Sequence, residues 1–151
     1  MTPSQALFDQ LLEPDEGLRL SPYLCPAGIP SIGYGCTRYE DGTPVKLTDP
    51  AITEERAVEL MRATLAPFVA DLNNWVRVPL NQGQFDALCD LIYNIGPGAF
   101  RDSTLLSLLN QGKYSLAAAQ FPLWCHANGS VIPGLVARRR VEQSMFTGSA
   151  N

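Results

Sequence analysis

The chain is poor in charge and poorer still in basic charge. Only 17% of its 151 residues are charged, and eleven Lys and Arg stand against fifteen Asp and Glu, for a formal charge of −4. Proteins that bind nucleic acid draw affinity from many cations set on phosphates, so this balance argues against a nucleic-acid partner. The one dense basic run, Arg138-Arg139-Arg140, reads as a solvated helix face. Long apolar runs are also missing. No stretch reaches the roughly 18 to 20 residues a membrane-spanning helix needs, so no membrane insertion is expected. Met1 to Gln10 contains Asp9 and has neither a basic start nor an apolar centre, so no secretory leader is read and synthesis in a cytoplasm is expected. Histidine occurs once, at His126, and there is no Cys-x-x-Cys pair, which leaves no ligand set for zinc. Cys25, Cys36, Cys89 and Cys125 are therefore expected to be free thiols of a reducing compartment. Neither a repeat nor a low-complexity segment interrupts the chain.

What is present is 46% apolar content spread over the whole length, enough for one globular domain that needs no disulfide or metal to hold its core. Thr2-Pro3 offers an N-cap and first-turn proline for a short helix carrying Ala6, Phe8, Leu11 and Leu12, with Glu16 just beyond it. From Gly17 to Val45 the pattern turns to short alternating runs. These are broken by Pro22, Pro26, Gly28, Pro30, Gly33, Gly35 and Asp41-Gly42, and they predict a small antiparallel sheet with tight turns. Thr53 can cap a helix with Glu54 and Glu55 at its positive end and Val58, Met61 and Leu65 on one face; Pro67 is expected to end it. From Asn81 onward the pattern is helical. Asn81 and Gln84 are spaced as a capping box, Gly96-Pro97-Gly98 stops that helix, and Ser103 caps the next, which Gly112 closes. Further short helices are expected over 116–121 and 136–146. This is an α+β arrangement, a small N-terminal sheet lobe of about 17–50, a linking helix of about 53–66 and a helical lobe of about 70–148, all in one domain spanning 1–151. The junction of two such lobes is expected to leave a ligand cleft.

The run Glu16-Gly17-Leu18-Arg19-Leu20-Ser21-Pro22-Tyr23 is followed by Cys25, Gly28 and Ser31-Ile32-Gly33-Tyr34-Gly35. Three later blocks keep the same order: Tyr93 to Phe100, Ser103 to Leu106, and Gly134 to Arg139 with Glu142 beyond. Together these resemble phage-type lysozymes, the endolysin muramidases of glycoside hydrolase family 24, over nearly the whole chain. The resemblance implies a lysozyme-like fold and hydrolysis of the β-1,4 bond between N-acetylmuramic acid and N-acetylglucosamine in bacterial peptidoglycan. It implies no cofactor and no metal, a monomer, and action on the wall after release through a holin-type pore.

In that family a Glu is followed by Asp or sometimes Cys, then by Thr; the matching positions here are Glu16, Cys25 and Ser31. Breaking a glycosidic bond needs an acid to protonate a poor leaving group, and Glu16 is its candidate. An inverting hydrolase also needs a water held on the opposite face of the sugar, which falls to Cys25 and Ser31. Ser31 keeps the hydroxyl of Thr. Cys25 is the sharper departure, because a thiol accepts hydrogen bonds more weakly than a carboxylate and is largely neutral at pH 7 unless its surroundings intervene. Cys36 stands where many relatives have His and implies no catalytic role. By resemblance, Tyr93 and Asn94 line the saccharide path with a ring and an amide, Gly35 and Thr37 sit on the sheet side, and either Arg138 or Arg139 pairs with Glu16. Competing classes are a thiol hydrolase built on Cys25, His126 and Asn128, a lytic transglycosylase, and a glycan-binding module without turnover.

Overall fold

The computed structural model describes residues 1–148. The chain divides into two compact units, one of residues 12–66 and one made of residues 1–11 together with the chain from Pro67 onward. Both boundaries fall inside helical segments.

The N-terminal helical run is continuous but not uniform: α1 (Gln5–Leu7), a π-helical turn (Phe8–Leu12) and α2 (Glu13–Glu16). The wide turn lies directly ahead of Pro14, whose missing N–H cannot bond the carbonyl of Gln10 and whose ring would crowd it. The helix begins later than Thr2-Pro3 suggests. Ser4 is the N-cap, and its amide (3.0 Å) and its hydroxyl both donate to the buried carboxylate of Asp86, a tertiary tie that overrides the local start signal. It also ends later, so Glu16 is the last helical residue rather than one beyond it, with Gly17 closing the turn back to the Glu13 carbonyl at 2.9 Å.

In the unit of residues 12–66 the expected small sheet is an antiparallel pair, β1 (Arg19–Leu24) and β2 (Pro30–Gly33), with Tyr23 opposite Ser31 and Leu24 opposite Pro30. The ladder is irregular between Arg19 and Tyr23, where Pro22 has no N–H to give. Single bridges from Ile32 to Cys36 and from Arg38 to Pro44 fold the following loop back. Ile32, Tyr34, Cys36 and Val45 are buried with Ala57, Leu60, Met61 and Leu65 of α3 (Glu54–Trp75). Thr53 caps that helix as expected, its hydroxyl accepting from the Arg56 amide at 3.1 Å.

Pro67 does not end α3, which runs eight residues further to Trp75. Apolar spacing continues past it. Leu72 is buried, Phe68 packs edge-on against Tyr93 at 5.4 Å, and Trp75 stacks on Phe100 at 6.5 Å. Full burial of a side chain such as Leu72 contributes about 1.5–3 kcal/mol, and the half-buried rings of Phe68 and Trp75 add to it, against the roughly 3 kcal/mol cost of a proline inside a helix.

The helical unit is centred on α4 (Gln82–Ile95), capped by the reciprocal Asn81–Gln84 pair and buried without a break from Phe85 to Ile92. Gly96 ends α4, and Pro97 at once starts α5 (Pro97–Arg101). Next come α6 (Thr104–Asn110), capped by Ser103, then α7 (Tyr114–Ala118), a 3-10 turn (Phe121–Leu123) and α8 (Pro133–Thr147). A two-residue hairpin, β3 (His126–Ala127) with β4 (Ser130–Val131), interrupts what the pattern reads as purely helical. Its turn is Asn128-Gly129 with φ of +52° and +80°, the pairing that favours a tight hairpin. α4 packs most extensively on α8. Gly83 permits this contact, since a Cβ there would lie 2.6 Å from the Met145 carbonyl oxygen.

Between α4 and α8 lies a buried charged cluster. Arg138 grips Asp90 with two bonds, Nε to Oδ2 at 2.8 Å and Nη2 to Oδ1 at 2.7 Å. Arg139 donates through Nη2 to Glu142 Oε1 at 2.8 Å and through Nη1 to the Trp124 carbonyl at 3.3 Å. Its Nε stands 2.7 Å from Glu142 Oε2 without the alignment of a hydrogen bond. Burial pushes the Glu142 carboxyl well above the ordinary range, and its hydrogen bond to the Asp90 carboxylate reinforces this; the two arginines pull the other way and lose. Desolvation would raise the Asp90 carboxyl, but the hydrogen bonds of Arg138 and Glu142 and the charges of Arg138 and Arg139 together outweigh it and hold the group below its ordinary value.

Because the folded state holds the Glu142 proton more tightly than the unfolded chain does, this group's contribution is full below the unfolded value of about 4.3. It is lost as pH rises from there toward the folded value. Glu142→Gln keeps a donor toward Asp90 and an acceptor for Arg139 without needing the proton. Urea denaturation at about pH 5 and about pH 8 is expected to show the variant gaining on the native chain as pH rises, by at most about 1.4 kcal/mol per pH unit. Parallel stability curves would show that Glu142 is ionised in the fold.

Candidate functional site

The site in the unit of residues 12–66 follows from strand alternation. Tyr23 and Ser31 are cross-strand partners, so their side chains share a face, and Cys25, two residues past Tyr23, returns to that same face. The turn that joins the strands then wraps the sulfur. The Cys25 amide donates to the Ile29 carbonyl at 3.0 Å and the Gly28 amide to the Cys25 carbonyl at 2.8 Å. Backbone amide contact from Ile29 holds the thiol below its ordinary range, with smaller contributions from Ala27 and from the Ser31 hydroxyl. Ser31 is buried, only 1% exposed, and its Oγ donates to the Ile29 carbonyl at 3.0 Å. Cys25 is half-buried and is the member of the pair that meets solvent.

Glu16, at the end of α2, is half-buried, and its charge is felt by the Tyr23 hydroxyl and the Cys36 thiol. Gly35 lies beside it at φ +83°, a conformation in which a side chain is strained. A Cβ added there would sit 3.9 Å from both Glu16 Oε2 and Tyr23 Oη, so the carboxylate and the phenol converge on a bare stretch of backbone. Arg19 caps the Tyr23 ring, its guanidinium carbon 4.7 Å from the ring centre. Partial burial raises the phenol's pKa and outweighs the lowering by Arg19, so Tyr23 is a neutral hydroxyl that can donate or accept.

Of the residues read from the sequence, Glu16, Cys25, Ser31 and Gly35 thus lie in one unit around Tyr23. Thr37 is in the same unit, exposed, its carbonyl accepting from the Val45 amide at 2.9 Å. Tyr93 and Asn94 occupy the last turn of α4 in the helical unit, Tyr93 half-buried against Phe68 and Asn94 exposed. Arg138 and Arg139 are buried there in the cluster with Asp90 and Glu142. Sequence reasoning gave Tyr23 no role, although its strand position two residues before Cys25 carried the signal. Cys36 is a packed thiol, 3.4 Å from Thr64 Oγ1 and 3.9 Å from Met61 Sδ, and burial pushes its pKa up. Among the described residues no group of three or more His, Cys, Asp and Glu could hold a metal, and no helix is long and apolar enough to cross a membrane.

Residues 13–142 match the family model described as phage lysozyme. An endolysin of Acyrthosiphon pisum secondary endosymbiont phage 1 is 44% identical over 140 residues, which cover 90% of this chain and 92% of that protein. Among solved structures, a P22 lysozyme mutant superposes with a TM-score of 0.87 at 41% identity, covering 97% of this chain and 99% of the other. The muramidase domain of SpmX from Asticaccaulis excentricus gives 0.75 at 35% identity, with 95% of each chain covered.

The thiol environment has a direct readout. Iodoacetamide is expected to modify Cys25 ahead of the buried Cys36 and Cys89, with a pH midpoint below that of an ordinary thiol, and Ser31→Ala should move that midpoint upward. A midpoint at the ordinary value that ignores Ser31→Ala would remove the hydroxyl from the account.

Proposed function

The chain belongs to the phage lysozyme family, whose chemistry is that of a lysozyme-type glycoside hydrolase acting on the cell wall, and on that premise we propose that it hydrolyses the β-1,4 bond between N-acetylmuramic acid and N-acetylglucosamine in peptidoglycan and thereby lyses a host cell. The observation that carries this reading is the grouping of a carboxylate, a phenol, a thiol and a hydroxyl in residues 16 to 31, next to a glycine that leaves the carboxylate uncovered.

Glu16 is the general acid that protonates the departing glycosidic oxygen. The attacking water is held from the hairpin, with Cys25 as the group that meets it. Ser31 sits behind the sulfur and sets its orientation and charge rather than touching the water itself, as its burial suggests. A thiol with a lowered pKa carries more negative charge than an ordinary one, and this supports its standing in for a carboxylate as acceptor of the water's hydrogen. Tyr23 steadies Glu16 by a hydroxyl that suits either protonation state. Gly35 and Thr37 contribute contacts to the glycan, as do the exposed amide of Asn94 and the half-buried ring of Tyr93, a ring being suited to the apolar face of a sugar. None of these steps calls for a cofactor.

Glu16→Gln preserves size and hydrogen-bonding capacity while removing the transferable proton. Clearing of outer-membrane-stripped cells by this variant is expected to fall by at least about 100-fold with the melting temperature little changed. Undiminished clearing would reject Glu16 as the acid, and absence of clearing by the native chain would reject the hydrolase reading.

A further inference from the structure

An open groove of about 480 Å³ on the helical unit is lined by Trp75, Arg77, Arg101, Asp102, Ser107 and Asn110 among others, a volume within the range of about 300–1,000 Å³ usual for small-ligand sites. Its frame is fixed. Both ends of the Asn110 amide are spent on backbone, accepting from the Arg77 amide at 2.8 Å and donating to the Trp75 carbonyl at 2.9 Å. Trp75 is half-buried and braced by its stacking on Phe100, with ring planes 20° apart. The charges do not cancel. Arg101 is balanced by Asp102, at 3.2 Å from Nε and 3.4 Å from Nη2, whereas the Arg77 guanidinium meets no acceptor among the described residues.

We propose that this groove is a second saccharide site, which takes an N-acetylated amino sugar bearing a carboxylate, as the muramic acid units of the wall glycan do. The proposal rests on the wall-hydrolase reading for the identity of the sugar. A purely apolar ligand would leave two guanidiniums and a carboxylate desolvated without partners, and a polyphosphate would need more than the single net positive charge found here. A carboxylate-bearing sugar fits both features. Its acid meets Arg77, its apolar ring face lies on the indole, and its hydroxyls have Asp102 and the Ser107 hydroxyl to bond. For an enzyme on an insoluble polymer, a second hold on the strand raises the effective concentration of the bond to be cut.

The test is a ¹H–¹⁵N NMR titration of the full chain carrying Glu16→Gln, using N-acetylmuramic acid, N-acetylglucosamine and acetate as separate probes. N-acetylmuramic acid is expected to shift the Trp75 indole N–H, the Arg77 side-chain N–H and the Asn110 amide in a saturable manner. N-acetylglucosamine, which lacks the carboxylate, should bind at least about fivefold more weakly at these signals, and acetate alone should leave the indole unmoved. Arg77→Gln should weaken the first titration by a similar factor without lowering the melting temperature. Shifts confined to other residues, equal binding of the two sugars, or indifference to Arg77→Gln would overturn the proposal. Clearing of walls by the native chain is read separately, so clearing without titration at Trp75 rejects the second site alone. Titration without clearing rejects the hydrolase reading alone.

Discussion

The alignment of Tyr23 with Ser31 across two short strands is the constraint on which the rest depends. Side chains alternate faces along a strand, so a slip of one residue would turn Ser31 away from Tyr23 and Cys25 together. Only in the observed register does a hydroxyl lie behind the sulfur and a phenol beside the carboxylate of Glu16. The turn between the strands adds the second half of the effect. Its amides face the sulfur and hold the thiol below its ordinary range.

The helical unit solves a different problem, that of charge inside a core. Two arginines and two carboxyl groups are buried between α4 and α8, where isolated ions would be costly. The cost is limited because burial biases Glu142 toward its neutral form, while Asp90 is held by both prongs of Arg138. Such a cluster adds little stability compared with an apolar core of the same volume. The close passage of Gly83 under the Met145 carbonyl requires that the two helices meet in one arrangement.

Much of this was legible in the chain itself. Caps at Thr53, Asn81 and Ser103 are local chemistry and were found where the residues announce them. So was the small sheet, because its glycines and prolines punctuate it. The misjudged positions are those where distant contacts decide. Ser4 starts the first helix because of Asp86, 82 residues away. Pro67 sits inside a helix because packing on both sides outweighs its local cost. Asn128-Gly129 carried a hairpin signal that was obscured by the helical pattern around it. At the site, the resemblance to phage-type lysozymes pointed to Glu16, Cys25 and Ser31, but it could not say that Ser31 is buried or that Tyr23 and Gly35 lie beside the carboxylate. Those facts belong to the fold.

The chemical claim at the centre is that a water, and not a hydroxyl of the sugar itself, completes the cleavage that Glu16 begins. Mass analysis of muropeptides released in ¹⁸O-labelled water tests it most directly. Hydrolysis places one solvent oxygen on each newly formed reducing end, and the account predicts that label on the muramic acid terminus of every product. Unlabelled 1,6-anhydro products would mean that the chain breaks the same bond by internal transfer, and the water-holding roles assigned to Cys25 and Ser31 would fall.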